Sequence, residues 1–323
     1  MKRILLVCDR PNWTFWTKSQ AIVHNYTGSN LQFTITTTKE NREKLKGQFD
    51  SHDFYVFLGW QNFSICERRY KISRDKSLVS VASHESWDNF ATTPTNKVHP
   101  DPKVIGYLKT FRGVSAVSRR LQSLFLESGL ENIALTPNGV PTEMFNPNYE
   151  WARDPNTLLC AYSGRDVDQK KGNRSIIEPA FEMVKGVFLK QAICDLRMEF
   201  KKKTRGNGYI PYEEMPGFYQ TSDCLVCMSR EEGSCRSVLE AMSCGCVIVS
   251  TDCGAIEELV IHEENGLIID RSADALIDAL NYLKANVDKI PGMKLRAREA
   301  VMKFDWRFVA SHWHKWIMES IKQ

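Results

Sequence analysis

Short apolar runs alternate with amphipathic stretches along the whole chain. RILLVC, FYVFLGW, LVSVAS, GVSAVS and IALTPNG read as strands, with helical spacing over 18–26 and in RRLQSLFLESG. The pattern then starts again: LLCAYSG, a helix over about 174–189, CDLRMEF, CLVCMS, a helix opening near Ser234, VIVST and GLIID. Buried strands alternating with helices predict parallel sheets covered on both faces. The Pro- and Asn-rich residues 147–156 between the two series read as a linker. The predicted fold class is therefore α/β, with two facing doubly wound Rossmann-like domains. These span 1–148 and 149–306, and a C-terminal helix over about 307–323 packs back on the first. In open α/β sheets ligands sit beyond the carboxyl ends of the strands. Trp60, His84, Ser118, Asn138, Gly164 and Glu232 each closely follow an apolar run and are the polar or aromatic positions to inspect.

Composition narrows the class. At 323 residues, 42% hydrophobic and 25% charged, the chain suits two soluble globular domains. No apolar run approaches the roughly 20 residues that span a bilayer. Asp9 and Arg10 interrupt the N-terminal apolar run too early for a signal peptide, so the expected location is the cytoplasm. Ten cysteines are present, six of them between Cys224 and Cys253. Cys224 and Cys227 would point to opposite faces of a strand, and no histidine cluster completes a zinc site, so the cysteines read as small buried apolar residues and no metal is expected. The net charge of +4 is uneven: 19 Lys/Arg face 14 Asp/Glu in residues 1–150, against 24 and 25 in 151–323.

Two stretches carry the candidate chemistry. In GRDVDQKKG, Arg165 and Lys171 flank a strand end at Gly164, where a glycine admits a bulky anion and two cations can neutralise a diphosphate. In REEGSCRSVLEAMSCG, Val238, Leu239, Ala241 and Met242 form an apolar helical stripe that stops at Gly245. The helix N-terminus, with Gly233, Ser234 and Ser237, suits a phosphate. Glu240 within the helix would then lie level with a ribose and accept both its hydroxyls. Glu232, ahead of the helix, points to where the rest of a nucleotide-linked ligand would extend.

Taken together, these motifs resemble the donor site of the retaining glycosyltransferases with the two-domain B-type fold (GT-B), family 4. VSAVSRRL, TPNGVPTEMFNP, YIPYEEMPGFYQTSDCLVCMS, EENGLIID and FDWRFVASHWHKWI fall in that family's order, so the resemblance covers nearly the whole chain. It implies that Arg165 and Lys171 grip the donor diphosphate, that Glu240 binds the ribose and that Glu232 contacts the donor sugar. It also implies that His84 reaches the sugar from the first domain and that residues 208–215, Ile210 among them, contact the nucleobase. Val238, next to Ser237, belongs to the same donor-binding helix. The implied reaction retains anomeric configuration and needs no metal and no cofactor beyond the nucleotide-diphosphate sugar, with a UDP-sugar favoured.

The chain departs from that family after its first strand, where CDRPNWTFWTKSQ replaces the usual glycine pair. Trp13, Phe15 and Trp16 interleave with Arg10 and Lys18 there. With Trp60 and a second basic run (Arg68, Arg69 and Lys71 in CERRYKISRDK) they suggest an extended anionic acceptor. The acceptor is a glycan or glycolipid or, alternatively, the hydroxymethylated bases of double-stranded phage DNA. A nucleotide-sugar epimerase and a non-catalytic nucleotide-sugar-binding protein are the rival classes. A dehydrogenase is disfavoured because no G-x-G-x-x-G follows either first strand.

Overall fold

The computed structural model describes residues 1–83, 99–148, 150, 157–165, 168–194 and 210–322. They form two compact units, one from residues 1–83, 99–139 and 306–322, the other from the described residues of 140–305.

The first unit holds a six-stranded parallel sheet: β1 (Lys2–Cys8), β2 (Leu31–Thr37), β3 (Phe54–Phe57), β4 (Ser77–Val81), β5 (Gly113–Ala116) and β6 (Ile133–Leu135), in the order β2-β1-β3-β4-β5-β6. Central β1 reads as a continuous apolar run because both faces are covered, and Ile4, Leu5, Leu6 and Val7 are fully buried. The pattern of apolar runs misses β2. Its LQFTITT sequence sits on the sheet edge, half exposed, where Gln and Thr are tolerated. Ser118 serves structure here: its hydroxyl accepts from the Leu121 amide at 3.4 Å and caps the helix Arg119–Glu127.

The helix Trp306–Lys322 belongs to this first unit. Its Trp313 is fully buried and donates its indole N–H to the Pro137 carbonyl at 2.9 Å. The next residue, His314, donates to the Ile22 carbonyl at 2.7 Å, and burial lowers its pKa.

The second unit holds a five-stranded parallel sheet: β7 (Leu158–Arg165), β8 (Val187–Cys194), β9 (Cys224–Cys227), β10 (Val247–Thr251) and β11 (Gly266–Ile269), in the order β11-β10-β9-β7-β8. The helix expected over 174–189 ends sooner. Its helical turns run from Asn173 to Met183, Gly186 takes φ +75°, and the apolar Val187, Phe188 and Leu189 already belong to β8. The strand read in CDLRMEF contributes only Cys194, since residues 195–200 lie outside the described residues.

The boundary between units also falls earlier than composition suggests. Val140 donates its amide to the Phe304 carbonyl at 3.0 Å, the Thr142 amide bonds to Asp305 at 3.2 Å, and Phe145 is fully buried beside Tyr212. The chain has joined the second unit before it reaches the Pro-rich stretch that resembled a linker. Leaving Cys194 aside, the nine other cysteines are all buried and free of disulfides.

Candidate functional site

The candidate site lies at the carboxyl ends of β7, β9 and β10 in the second unit. β7 carries Gly164 and ends on Arg165, and a short helix Asp168–Lys171 follows. Gly172 then turns the chain at φ +67°, and a Cβ there would press on Ile176 at 3.0 Å and on Arg271 at 3.2 Å. Two adjacent lysines of this segment meet two adjacent glutamates of the loop after β9. Lys170 pairs with Glu231 at 2.6 Å in full burial, and Lys171 pairs with Glu232 where both side chains retain about 16–17% exposure. The Arg230 amide donates to the Lys170 carbonyl at 2.8 Å, stitching the two loops together. Burial opposes the Lys171 charge, but Glu232 beside it outweighs that effect, so its pKa stands above the ordinary lysine value.

The outer pair is thus a cation and a carboxylate that the sequence had assigned to different parts of one ligand. Gly233 and Ser234 are buried in the loop that follows, and Ser237 sits partly buried in the first turn of the helix Arg236–Ser243. Val238 is fully buried in the core, so only its backbone is left to serve a ligand. Glu240 is 6% exposed; it accepts from Arg236 Nε at 2.8 Å and from the Tyr219 hydroxyl at 3.3 Å. Burial pushes its carboxyl above the ordinary value, while Arg236 and Tyr219 pull the other way. Arg236 also stacks 4.5 Å over the ring of Tyr212, whose hydroxyl burial pushes up to about 12. Ile210 stands just ahead of this cluster, half-buried; residues 208 and 209 of the same loop lie outside the described residues.

Several of these partners escaped the reading of the sequence. Lys170, Glu231, Arg236, Tyr212 and Tyr219 all hold the site's charged groups. The Arg236–Glu240 spacing of i,i+4 was a legible signal, as was the matching of QKK to REE. Tyr219 had none, because only the fold brings the helix Met215–Gln220 beside the helix Arg236–Ser243.

The residues assigned to an acceptor in the first unit do not gather. Arg10, Trp13 and Trp16 follow the carboxyl end of β1, and Trp60 follows that of β3, packing on Tyr107 at 5.5 Å. Arg10 stacks 4.4 Å over the Trp13 ring and pairs with Asp9 at 3.7 Å. Lys18 is corrected: it lies on the helix Thr14–His24, 3% exposed, between the rings of Phe15 and Trp313 at 5.4 and 5.1 Å, and does not face solvent. Arg68, Arg69 and Lys71 are exposed, but they close the return helix Trp60–Glu67 and precede β4. In a parallel sheet that helix runs back to the amino ends of the strands, so the second basic run sits on the edge opposite the aromatic residues. His84 lies outside the described residues.

Two parallel Rossmann-like units, one carrying cations and carboxylates at its strand ends, define the fold of the GT-B glycosyltransferases. The second unit carries a Glycosyl transferases group 1 domain, whose family model matches residues 195–299. The lipopolysaccharide core biosynthesis mannosyltransferase LpsB of Rhizobium meliloti is 42% identical over 82 residues, a match spanning 25% of this chain and 23% of that protein. Among solved structures, sucrose-phosphate synthase from Thermosynechococcus elongatus superposes with a TM-score of 0.75 at 14% identity, covering 100% of both chains. Anabaena HepE in complex with UDP and glucose superposes with a TM-score of 0.76 at 15% identity, covering 99% of this chain and 100% of that one. At these identities the structural likeness speaks for the fold. Among the described residues no helix is long and apolar enough to cross a membrane.

Proposed function

We propose that the protein is a glycosyltransferase that moves a sugar from a nucleotide-diphosphate donor to a hydroxyl of a glycan, with retention of anomeric configuration and without a divalent metal in the reaction. The observation that carries this reading is the Lys171–Glu232 pair beside the N-terminus of the helix that bears Glu240. Lys171 and Arg165 would take the diphosphate and Glu240 the ribose, while Glu232, released from Lys171, would receive the donor sugar. A UDP-sugar is the favoured donor: HepE was solved with UDP and with UDP-glucose. LpsB, by its name, builds lipopolysaccharide core, which supports a glycan acceptor over DNA.

Charge on the leaving diphosphate grows as its bond to the sugar breaks. Lys171, Arg165 and the amides opening the helix Arg236–Ser243 are fixed groups that would stabilise that charge more in the transition state than before it. A phosphate oxygen so held is well placed to accept the proton of the incoming hydroxyl on the same face. No protein nucleophile is needed.

The test is calorimetry with UDP and UDP-glucose, followed by incubation of the binding nucleotide sugar with lipopolysaccharide-core oligosaccharides and NMR of the product. Transfer with the donor's α configuration kept is the expected result. An epimerised nucleotide sugar formed without acceptor, or binding with no turnover, would replace the transferase reading with one of its two rivals.

A further inference from the structure

Behind Glu232 three cysteines from separate parts of the chain come together. Cys227 ends β9, Cys235 immediately precedes the helix Arg236–Ser243, and Cys253 follows β10. All are buried, and their three sulfurs lie within 4.8 Å of one another. Cys235 and Cys253 have sulfurs 3.7 Å apart, and the Cys235 thiol also reaches the Cys253 carbonyl at 3.5 Å.

Two features show that this approach is built. Cys235 takes φ +40°, a left-handed conformation that disfavours an L-residue with a side chain and suits glycine. Gly254 takes φ +57°, and a Cβ there would meet Glu232 Cβ at 2.9 Å and the Cys235 sulfur at 3.2 Å, so only glycine lets the loop after β10 close on the loop after β9. A strained non-glycine residue persists where its surroundings hold it and its side chain has a use.

We propose that Cys227, Cys235 and Cys253 form a binding site for one thiophilic d10 cation, zinc(II) or copper(I), that clamps the loop carrying Glu232 to the loop after β10. A metal–sulfur bond of about 2.3 Å puts sulfurs about 3.8 Å apart in a tetrahedral site and about 4.0 Å apart in a trigonal one. The Cys235–Cys253 separation already matches, and the widest separation closes with a shift of under about 1 Å. Soft thiolates select these cations over magnesium or calcium. Each thiol releases its proton to solvent on ligation, so affinity rises with pH. Three thiolates around a divalent ion leave one negative charge on the site. The inference is independent of the sugar-transfer reading, because its readout is the metal itself.

The test titrates reduced protein with cobalt(II) as a spectroscopic probe, then adds zinc(II), and in a parallel arm offers copper(I) against a copper(I) chelator. One equivalent should give a sulfur-to-cobalt charge-transfer band that zinc abolishes, or one equivalent of copper(I) should be retained. Which arm succeeds identifies the cation. Cys253→Ser and Cys235→Gly should each weaken binding by at least about tenfold. Glycine accepts the backbone conformation at 235 without strain, so Cys235→Gly should keep or raise the melting temperature of the metal-free protein, which separates loss of a ligand from loss of the fold. Absence of binding in both arms, binding unchanged in both variants, or a Cys235–Cys253 disulfide in protein purified without reductant would overturn the proposal.

Discussion

In the second unit Lys170, Lys171 and Arg236 each pair with a carboxylate of the same site, at Glu231, Glu232 and Glu240, and most of these groups are buried. At the corresponding strand ends of the first unit, Arg10 and Lys18 lie against aromatic rings, and Arg10 also pairs with Asp9. Both units are all-parallel sheets with their polar groups at the carboxyl ends, so the difference lies in what the side chains there are prepared to do. A buried charge-paired network holds its cations in fixed places, so a polyanion that displaces Glu232 from Lys171 meets a cation already positioned for it. In the first unit, the partly exposed Trp13 ring beside Arg10 offers a surface on which a neutral ring can pack, with a charge at its edge. The first arrangement suits a nucleotide diphosphate and the second a sugar.

Removing the second unit's outer pair is the strongest way to break this comparison. Lys171→Ala should lower turnover by about 10²- to 10³-fold, because the lost charge acts mainly on the leaving diphosphate. It should also lower the melting temperature, since Glu232 is left without its cation. Adding Glu232→Gln should restore the melting temperature but not the activity; recovery of both would mean that the pair serves only the fold. Steady-state kinetics beside thermal denaturation reads both effects.

Glu240→Gln should weaken binding of UDP by about 1.5–3 kcal/mol, the range for hydrogen bonds to a charged acceptor, with calorimetry as the check. Its effect on the empty protein has the opposite tendency with pH. A carboxyl whose pKa is raised by folding stabilises the fold at pH below the ordinary glutamate value of 4.5 and loses that contribution as pH rises through its folded value. The melting temperature of Glu240→Gln relative to the unsubstituted protein should therefore increase as pH is raised from 4 to neutrality. A difference that shrinks over that interval would show that Arg236 and Tyr219 fully offset the burial.

In the first unit the expected effects are smaller. Trp13→Ala should raise the KM for the acceptor by the equivalent of about 0.5–2 kcal/mol and leave UDP affinity unchanged, as expected for a ring that stacks beside Arg10. On the proposed reading, in which Lys171 and Arg165 supply the charge a hard metal would bring, magnesium or manganese added to EDTA-treated protein should give no gain in transfer; restored activity would overturn that reading. Smallest of all, Arg68→Ala and Arg69→Ala should change stability by no more than about 0.5 kcal/mol and acceptor kinetics not at all, since both lie on the opposite edge of the sheet. A marked rise in acceptor KM for either would mean that the acceptor wraps around the unit.

Much of this architecture was legible before any coordinates. A parallel strand covered on both faces has to be apolar throughout, so β1, β4, β7, β9 and β10 announce themselves in one dimension, and the spacing of Glu232, Glu240, Arg165 and Lys171 was legible as a motif beside the strand ends. Edge strand β2 was hidden because exposure on one side removes that requirement, and β8 because an apolar run after an amphipathic helix looks like more helix until Gly186 interrupts it. Which partner each charge takes was beyond the sequence. Lys171 and Glu232 are 61 positions apart, and Tyr219 and Glu240 are 21 apart. The two basic runs of the first unit, around Arg10 and around Arg68, fall on opposite edges of one sheet. Three cysteines that read as separate small apolar residues converge on one point only when Gly254 allows two loops to close. Local sequence determines periodicity, and with it the elements and the ends at which ligands are met. Proximity between elements depends on how the strands are ordered and how closely the backbones approach, and those are properties of the packed structure alone.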